Sequence, residues 1–153
     1  TSCTFKEGSI SISTNAFSSC KRLNSIDIPN SVTSIGNGAF YNCSGLTTCT
    51  IGSGVTSIGG SAFQGCSSLT SIVIPNTVTK IEGWAFYNCS GLTAITINSV
   101  EPPLLGDFTF DNTNNCPIYV PSSAVNTYKS TLWWQQYSLL CFCLKALFVK
   151  PLP

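Results

Sequence analysis

Residues 28–46, IPNSVTSIGNGAFYNCSGL, and residues 74–92, IPNTVTKIEGWAFYNCSGL, are nearly the same phrase, written 46 positions apart. Half that interval is 23, and the whole middle of the chain keeps time with it. Phe17, Phe40, Phe63 and Phe86 follow one another at 23 residues, as do Cys20, Cys43, Cys66 and Cys89, and Leu23, Leu46, Leu69 and Leu92. The columns continue through Ile26, Cys49, Ile72 and Ile95, then Ile28, Ile51, Ile74 and Ile97, then Val32, Val55 and Val78, and last Ile35, Ile58 and Ile81. One apolar column could be chance, but several in step mean that each unit forms one coil of a solenoid. The expected fold is a right-handed stack of coils of about 23 residues, with a parallel sheet on one wall and short turns and loops on the others.

The unit reads Leu-x-x-Ile-x-Ile-Pro-x-x-Val-Thr-x-Ile-x-x-x-Ala-Phe-x-x-Cys-x-x, and each part has a local meaning. Leu-x-x-Ile-x-Ile ends in a period-2 alternation, which predicts a short strand buried on one face. Pro29 and Pro75, with Gly52 and Asn98 in the same place, end that strand and turn the chain. Val-Thr-x-Ile predicts a second short extended piece, and the glycine after Ile35 and Ile58 permits another turn. Gly38-Ala39-Phe40-Tyr41-Asn42-Cys43 then reads as a single helical or 3₁₀ turn with Ala39, Phe40 and Cys43 on its inner side. A lone unit cannot persist: about eight apolar side chains at roughly 2 kcal/mol each face roughly 1.5 kcal/mol of ordering entropy per residue. Stacking at about 4.8 Å per coil closes the gap by building continuous side-chain ladders.

Composition narrows the range of functions. Only 8% of the 153 residues are charged, against roughly 25% in an ordinary globular protein. Seven Lys and Arg against six Asp and Glu leave no basic stripe for a phosphate backbone, so nucleic acid is not an expected partner. The absence of His removes the commonest general base, zinc ligand and triad partner together. Nine cysteines invite a metal reading, yet the 23-residue ladder offers no pair at zinc spacing, and only Cys141 and Cys143 are close-set. No metal site is therefore expected. The ladder cysteines and Cys49 stand at positions that are apolar by period, which predicts packing. Cys3 and Cys116 are the exceptions, and bonds between stacked cysteines would be strained because parallel side chains hold their Cβ atoms too far apart. Asn42-Cys43-Ser44 and Asn88-Cys89-Ser90 match a glycosylation acceptor pattern, as by-products of the repeat.

The two quoted phrases resemble the BspA-like, or Treponema pallidum-type, leucine-rich repeats, strongly over residues 12 to about 100. That resemblance implies a cell-surface or secreted protein of a host-associated microbe, bacterial or protozoan, adhering to host matrix proteins, other cells or surfaces. It implies no cofactor and no catalytic residue, and a longer array of which this chain is a piece. The chain is read as repeats over 1–97, the first partial, an atypical terminal coil and cap over 98–137, and an apolar tail over 138–153. Ile118 and Val120 keep the strand positions in the terminal coil, after a loop with Pro102, Pro103 and an Asp-Asn-Thr-Asn-Asn run. YVPSSAVNTYKSTLWWQQY is similar to the closing segment after such arrays, with Val125, Tyr128, Trp133 and Tyr137 expected to cover the open end. Beyond Tyr137 the resemblance stops. LLCFCLKALFV (139–149) is too short to span a bilayer. It reads as a helix docked on the end of the solenoid, an exposed tail, or an interfacial membrane contact with Lys145 and Lys150 as its charges.

Binding is expected on the strand wall. Side chains between the inward isoleucines face outward, in one column of Asp27, Thr50, Val73, Thr96 and Tyr119 and another of Ser25, Thr48, Ser71 and Ala94. A third holds Asn24, Thr47, Thr70 and Thr93. Asp27, Thr50, Val73, Thr96, Tyr119, Ser25, Thr48 and Ser71 are the candidate ligand contacts on a flat, hydroxyl-rich, nearly uncharged surface suited to weak contacts multiplied along an array. Thr is also simply a good exposed strand residue. Tyr41, Trp84 and Tyr87 are further aromatics at variable loop positions. The leading expectation is a binding or adhesion module for a protein ligand. A structural spacer displaying another domain is the alternative, and an enzyme is disfavoured because the six acidic residues are scattered. An apolar N-terminal edge at residues 9–17 predicts upstream repeats or self-association.

Overall fold

The computed structural model describes residues 2, 3, 5 and 8–143. They form a parallel β-solenoid of about six turns. In chain order its strands are β1 (Ser2–Cys3), β2 (Ser11–Ile12), β3 (Ser25–Ile28), β4 (Ser34–Ile35), β5 (Thr48–Ile51), β6 (Ser57–Ile58), β7 (Ser71–Ile74), β8 (Lys80–Ile81), β9 (Ala94–Ile97), β10 (Leu104–Leu105), β11 (Ile118–Val120) and β12 (Cys141–Cys143). One short helix, α1 (Val125–Ser130), and a 3₁₀ turn (Gln135–Tyr137) lie between the last two strands.

Every strand pair is parallel, and the register is the repeat itself. Ser25 faces Thr48, Ser34 faces Ser57, Ile72 faces Ile95 and Ile95 faces Ile118, each 23 residues on. The four-residue strands make one wall, in two ladders, β1-β3-β5 and β7-β9-β11-β12. The interruption falls beside β5, where Cys49 stands in the isoleucine column. The two-residue strands make a second wall in the order β2-β4-β6-β8-β10.

The third wall corrects the helical expectation. Residues 36–43 and their equivalents are stacked β-turns, not helical turns. Within a coil, Ala39 N–H donates to Gly36 O and Cys43 N–H to Phe40 O; between coils, Gly38, Phe40 and Asn42 donate to Gly60, Ala62 and Gln64. Alternate amides thus bond within the coil and to the next one, which an i→i−3 helix would forbid. Two positions per coil take positive φ to make this possible: Asn15, Gly38, Ser61, Trp84 and Phe108 in one column, and Ser19, Asn42, Gly65, Asn88 and Asn112 in the other. Glycine and asparagine are at home there. Gly36 is needed for a different reason: its φ is ordinary, but an added Cβ would lie 2.7 Å from Ile12 O and Thr14 N of the preceding coil.

Inside, the apolar columns meet. Phe40, Phe63 and Phe86 are fully buried, and Phe17, Phe40, Phe63 and Phe86 stack at 5.1–5.2 Å with planes within 14°. The ladder runs on through Phe110, 5.5 Å from Phe86. Residues 98–116 therefore keep the unit more fully than the strand residues alone suggest. One inserted residue shifts the frame to 24: Leu104 pairs with Lys80, Thr109 takes the alanine column, Thr113 the first cysteine column and Cys116 the leucine column.

The end of the stack is closed by Tyr128, Trp134 and Tyr137, all buried, with half-buried Val125 packed against them. Trp134, not Trp133, is the covering tryptophan, since Trp133 is half exposed with φ 71°. The ring polar atoms of the three covering residues are all bonded. Tyr128 OH donates to Ser99 O (3.0 Å), Trp134 Nε1 to Pro103 O (2.8 Å) and Tyr137 OH to Asp111 Oδ1 (2.7 Å), while Phe110 N–H donates to the Tyr137 oxygen (3.2 Å). After this cap the frame resumes: Ile118 faces Cys141 and Val120 faces Cys143, again 23 residues on. A docked helix is thus not what 141–143 form; residues 144–153, with Lys145 and Lys150, lie outside the described residues.

Phe63→Ala should cost about 3–5 kcal/mol, because its neighbours above and below cannot collapse into the gap without breaking the coil spacing. Trp134→Phe strands the Pro103 carbonyl and should cost about 1–3 kcal/mol, whereas Trp133→Ser should leave the urea midpoint nearly unmoved. Equal shifts at 133 and 134 in urea titration would overturn the capping assignment.

Candidate functional site

The long-strand wall carries the residues singled out for contact, because alternation on a strand sends every second side chain outward. Ser25 lies beside Thr48 and Asp27 beside Thr50; Ser71 lies beside Ala94, Val73 beside Thr96, and Thr96 beside Tyr119. Asp27, Thr48, Thr50, Ser71 and Val73 are exposed, while Ser25, Thr96 and Tyr119 are half-buried. The single column imagined from the sequence is therefore two registered ladders, meeting between β5 and β7. Phe142, which continues the column below Tyr119, was missed. Their rings lie 6.3 Å apart. The arithmetic of 119 plus 23 would have found it.

Hydroxyls divide into two populations. Thr47, Thr70 and Thr93 each donate their side-chain hydroxyl to the carbonyl of the residue one coil earlier, at 2.9, 3.4 and 3.0 Å. Thr33, Thr56 and Thr79 do the same on the short-strand wall. These threonines tie coil to coil with their hydroxyl protons. Among the described residues, Thr48, Thr50, Ser71 and Thr96 make no such bond, so their hydroxyl protons are left for another partner. Charge is sparse here, with Asp27 the one acidic residue among the candidates; the ion pair Lys80–Glu82 (2.8 Å) belongs to the short-strand wall, where it holds the Glu82 carboxyl below its usual range.

The ladder cysteines are packing residues with one added bond. The thiols of Cys43, Cys66 and Cys89 donate to the carbonyls of Phe17, Phe40 and Phe63 at 2.9, 3.2 and 3.0 Å. Cys43, Cys49, Cys66, Cys89, Cys116 and Cys141 are buried or half-buried, whereas Cys20 is exposed on the first of these turns. Every cysteine among these whose side chain is described is free, Cys116 included, which corrects its expected status as an exception; the side chain of Cys3 lies outside the description. Burial pushes the Cys43 and Cys141 thiols up to about 11 and Cys89 to about 12, with Cys49 and Cys66 raised further. Among the described residues no group of three His, Cys, Asp or Glu side chains is placed to hold a metal ion, and no helix is long and apolar enough to cross a membrane.

Comparison with known proteins places this geometry. The family model described as the BspA type leucine rich repeat region matches residues 1–116 and 60–139, with six copies. A leucine rich cell surface protein from Faecalibacterium prausnitzii is similar in structure, with TM-score 0.67 and 37% identity, over 76% of this chain and 30% of that one. The chain thus spans less than a third of that protein's length. A T. pallidum leucine rich repeat protein shares the fold at TM-score 0.51 and 24% identity, over 72% of this chain and 62% of that one. No curated protein matches.

At pH 8, alkylation mapped by mass spectrometry should modify Cys20 rapidly and leave Cys43, Cys66 and Cys89 protected until the fold opens. Because burial raises the folded thiols above their ordinary value of 9.0, the folded state holds more protons than the unfolded one at higher pH. Stability should therefore be level below pH 9 and fall as pH rises from about 9 toward 11, read from urea midpoints. A flat profile across that window would contradict the buried-thiol geometry.

Proposed function

The chain belongs to the BspA-type leucine-rich repeat family, and from that premise we propose that it is a non-catalytic, cell-surface or secreted module that adheres to a host or partner protein through its long-strand wall. One observation carries the reading. The threonines that hold the coils together commit their hydroxyl protons to backbone carbonyls, while Thr48, Thr50, Ser71 and Thr96 on the neighbouring columns, around the exposed Val73, donate to no protein group among the described residues. A flat wall of this kind suits a protein surface rather than a small molecule, because its contacts are shallow, uncharged and repeated at the coil spacing.

The surface location draws support from the Faecalibacterium neighbour, which is itself a cell surface protein. Buried, protonated thiols are consistent with an oxidising exterior, since the thiolate is the reactive form. A scaffold without catalysis agrees with a chain that lacks His altogether.

The test is retention of fibronectin, fibrinogen and collagen surfaces by the chain and by a triple variant Thr50→Glu, Val73→Lys, Thr96→Glu. A bound matrix protein should lose about tenfold or more in affinity, because three outward wall positions then carry charged groups that contact with a partner must strip of water. Unchanged affinity for every partner would remove the wall as the site and favour a spacer that only displays a neighbouring domain.

A further inference from the structure

A different wall of the solenoid carries features that protein adhesion through the strands does not use. The turn column Asn15, Gly38, Ser61, Trp84 and Phe108 shares one left-handed conformation, and its first three members are residues that adopt it readily or take up little space. Trp84 and Phe108 are bulky aromatics at φ 56° and 55°, a conformation such side chains normally avoid. Both are about half exposed, at 46% and 49%, and their rings stack at 5.8 Å with planes 23° apart. Outside the core, the molecule thus repeats the geometry of its own phenylalanine ladder, but facing water.

The outer stack stops abruptly. Phe108, on the later coil, covers one side of the indole; toward the earlier coils the column continues as Ser61 and Gly38, with no ring at either rung. What lies there instead is a groove of about 450 Å³, lined by Asn37, Gly38, Tyr41, Gly60, Ser61 and Trp84 among others, none of them charged. Asn37 Oδ1 accepts the Gly60 N–H at 2.9 Å, an N–H shared with Glu82 Oε2 at 3.2 Å, and this turns the Asn37 amide so that Nδ2 remains to donate. Tyr41 and Ser61, each of which carries a hydroxyl, line the same space.

We propose that this groove is a binding site for a neutral saccharide, one sugar ring of which stacks on the free face of Trp84 in place of the missing rung. A pyranose presents an apolar C–H face edged by hydroxyls. That pattern matches an indole face edged by an amide and two hydroxyls, in a pocket that supplies orientation through a few polar groups. Lack of a cation in the lining argues against sulfated or acidic sugars, which call for Lys or Arg. The site is independent of the strand wall, so either can fail without the other.

The experiment applies the full chain to an array of gluco-, manno-, galacto- and chito-oligosaccharides, with sulfated oligosaccharides and unstructured peptides on the same surface, followed by calorimetric titration of whatever binds. Two variants accompany it. Trp84→Asn removes the ring and keeps a residue tolerant of positive φ; Ser61→Phe extends the aromatic stack by one rung and fills the groove while leaving Trp84 in place. At least one neutral oligosaccharide should bind, and each variant should weaken it by about tenfold or more while still unfolding cooperatively. Absence of any neutral saccharide binding at about millimolar concentration, affinity equal in wild type and both variants, or Trp84-dependent capture of peptides instead, would each overturn the assignment.

Discussion

Everything in this protein depends on like residues lying directly above one another at the spacing of a parallel backbone. A β-type hydrogen bond between coils fixes a rise of about 4.8 Å, and the stacked phenylalanine rings sit at 5.1–5.5 Å, close to that rise. Backbone and core therefore demand the same number. A coil that gained or lost a residue without compensation would put every later side chain on the wrong wall, as a register slip does in any sheet. The one inserted residue in the terminal coil is absorbed within a single turn, because the chain returns to the 23-residue frame at Ile118.

Stacking also explains a surface so poor in charge. Identical positions recur at the coil spacing, so a charged column would set like charges about 5 Å apart along the whole stack, at a cost repeated for every coil. Threonine avoids that cost and adds a bond, as the hydroxyl chains from Thr47 to Thr93 and from Thr33 to Thr79 show. Lys80 and Glu82 are tolerated because they neutralise each other on one coil. What remains for recognition is then hydroxyl and aromatic chemistry, which is the chemistry found on both the strand wall and the turn wall.

The two ends of the column system behave differently. At the C-terminal side, Phe110 is met edge-on by Tyr137 at 5.5 Å and at a tilt by Trp134 at 5.9 Å. Turning the rings from stacked to edge-on ends the ladder without leaving an open aromatic face, and each polar tip reaches a carbonyl or carboxylate of the last coil. On the outside of the turn wall no such closure exists, and the indole of Trp84 keeps one face open over Ser61 and Gly38.

From the residues alone came the period, the inward columns, the long-strand wall and the outward identity of Asp27, Thr50, Val73 and their neighbours, because each depends only on counting along a chain whose core is one-dimensional; that the short extended pieces also pair into a second wall was seen only in the structure. Tertiary structure decided the rest. Whether Gly38-Ala39-Phe40-Tyr41-Asn42-Cys43 winds as a helix or stacks as a turn depends on amides that bond to the next coil, and no local pattern contains that partner. Trp134 rather than Trp133 covers the end because the Pro103 carbonyl, 31 residues earlier, waits on that side. Which threonine hydroxyls are free, and that Trp84 faces an empty rung, are likewise facts of distance between coils. Sequence period sets which residues become neighbours; only the folded backbone sets which of their atoms are left without one.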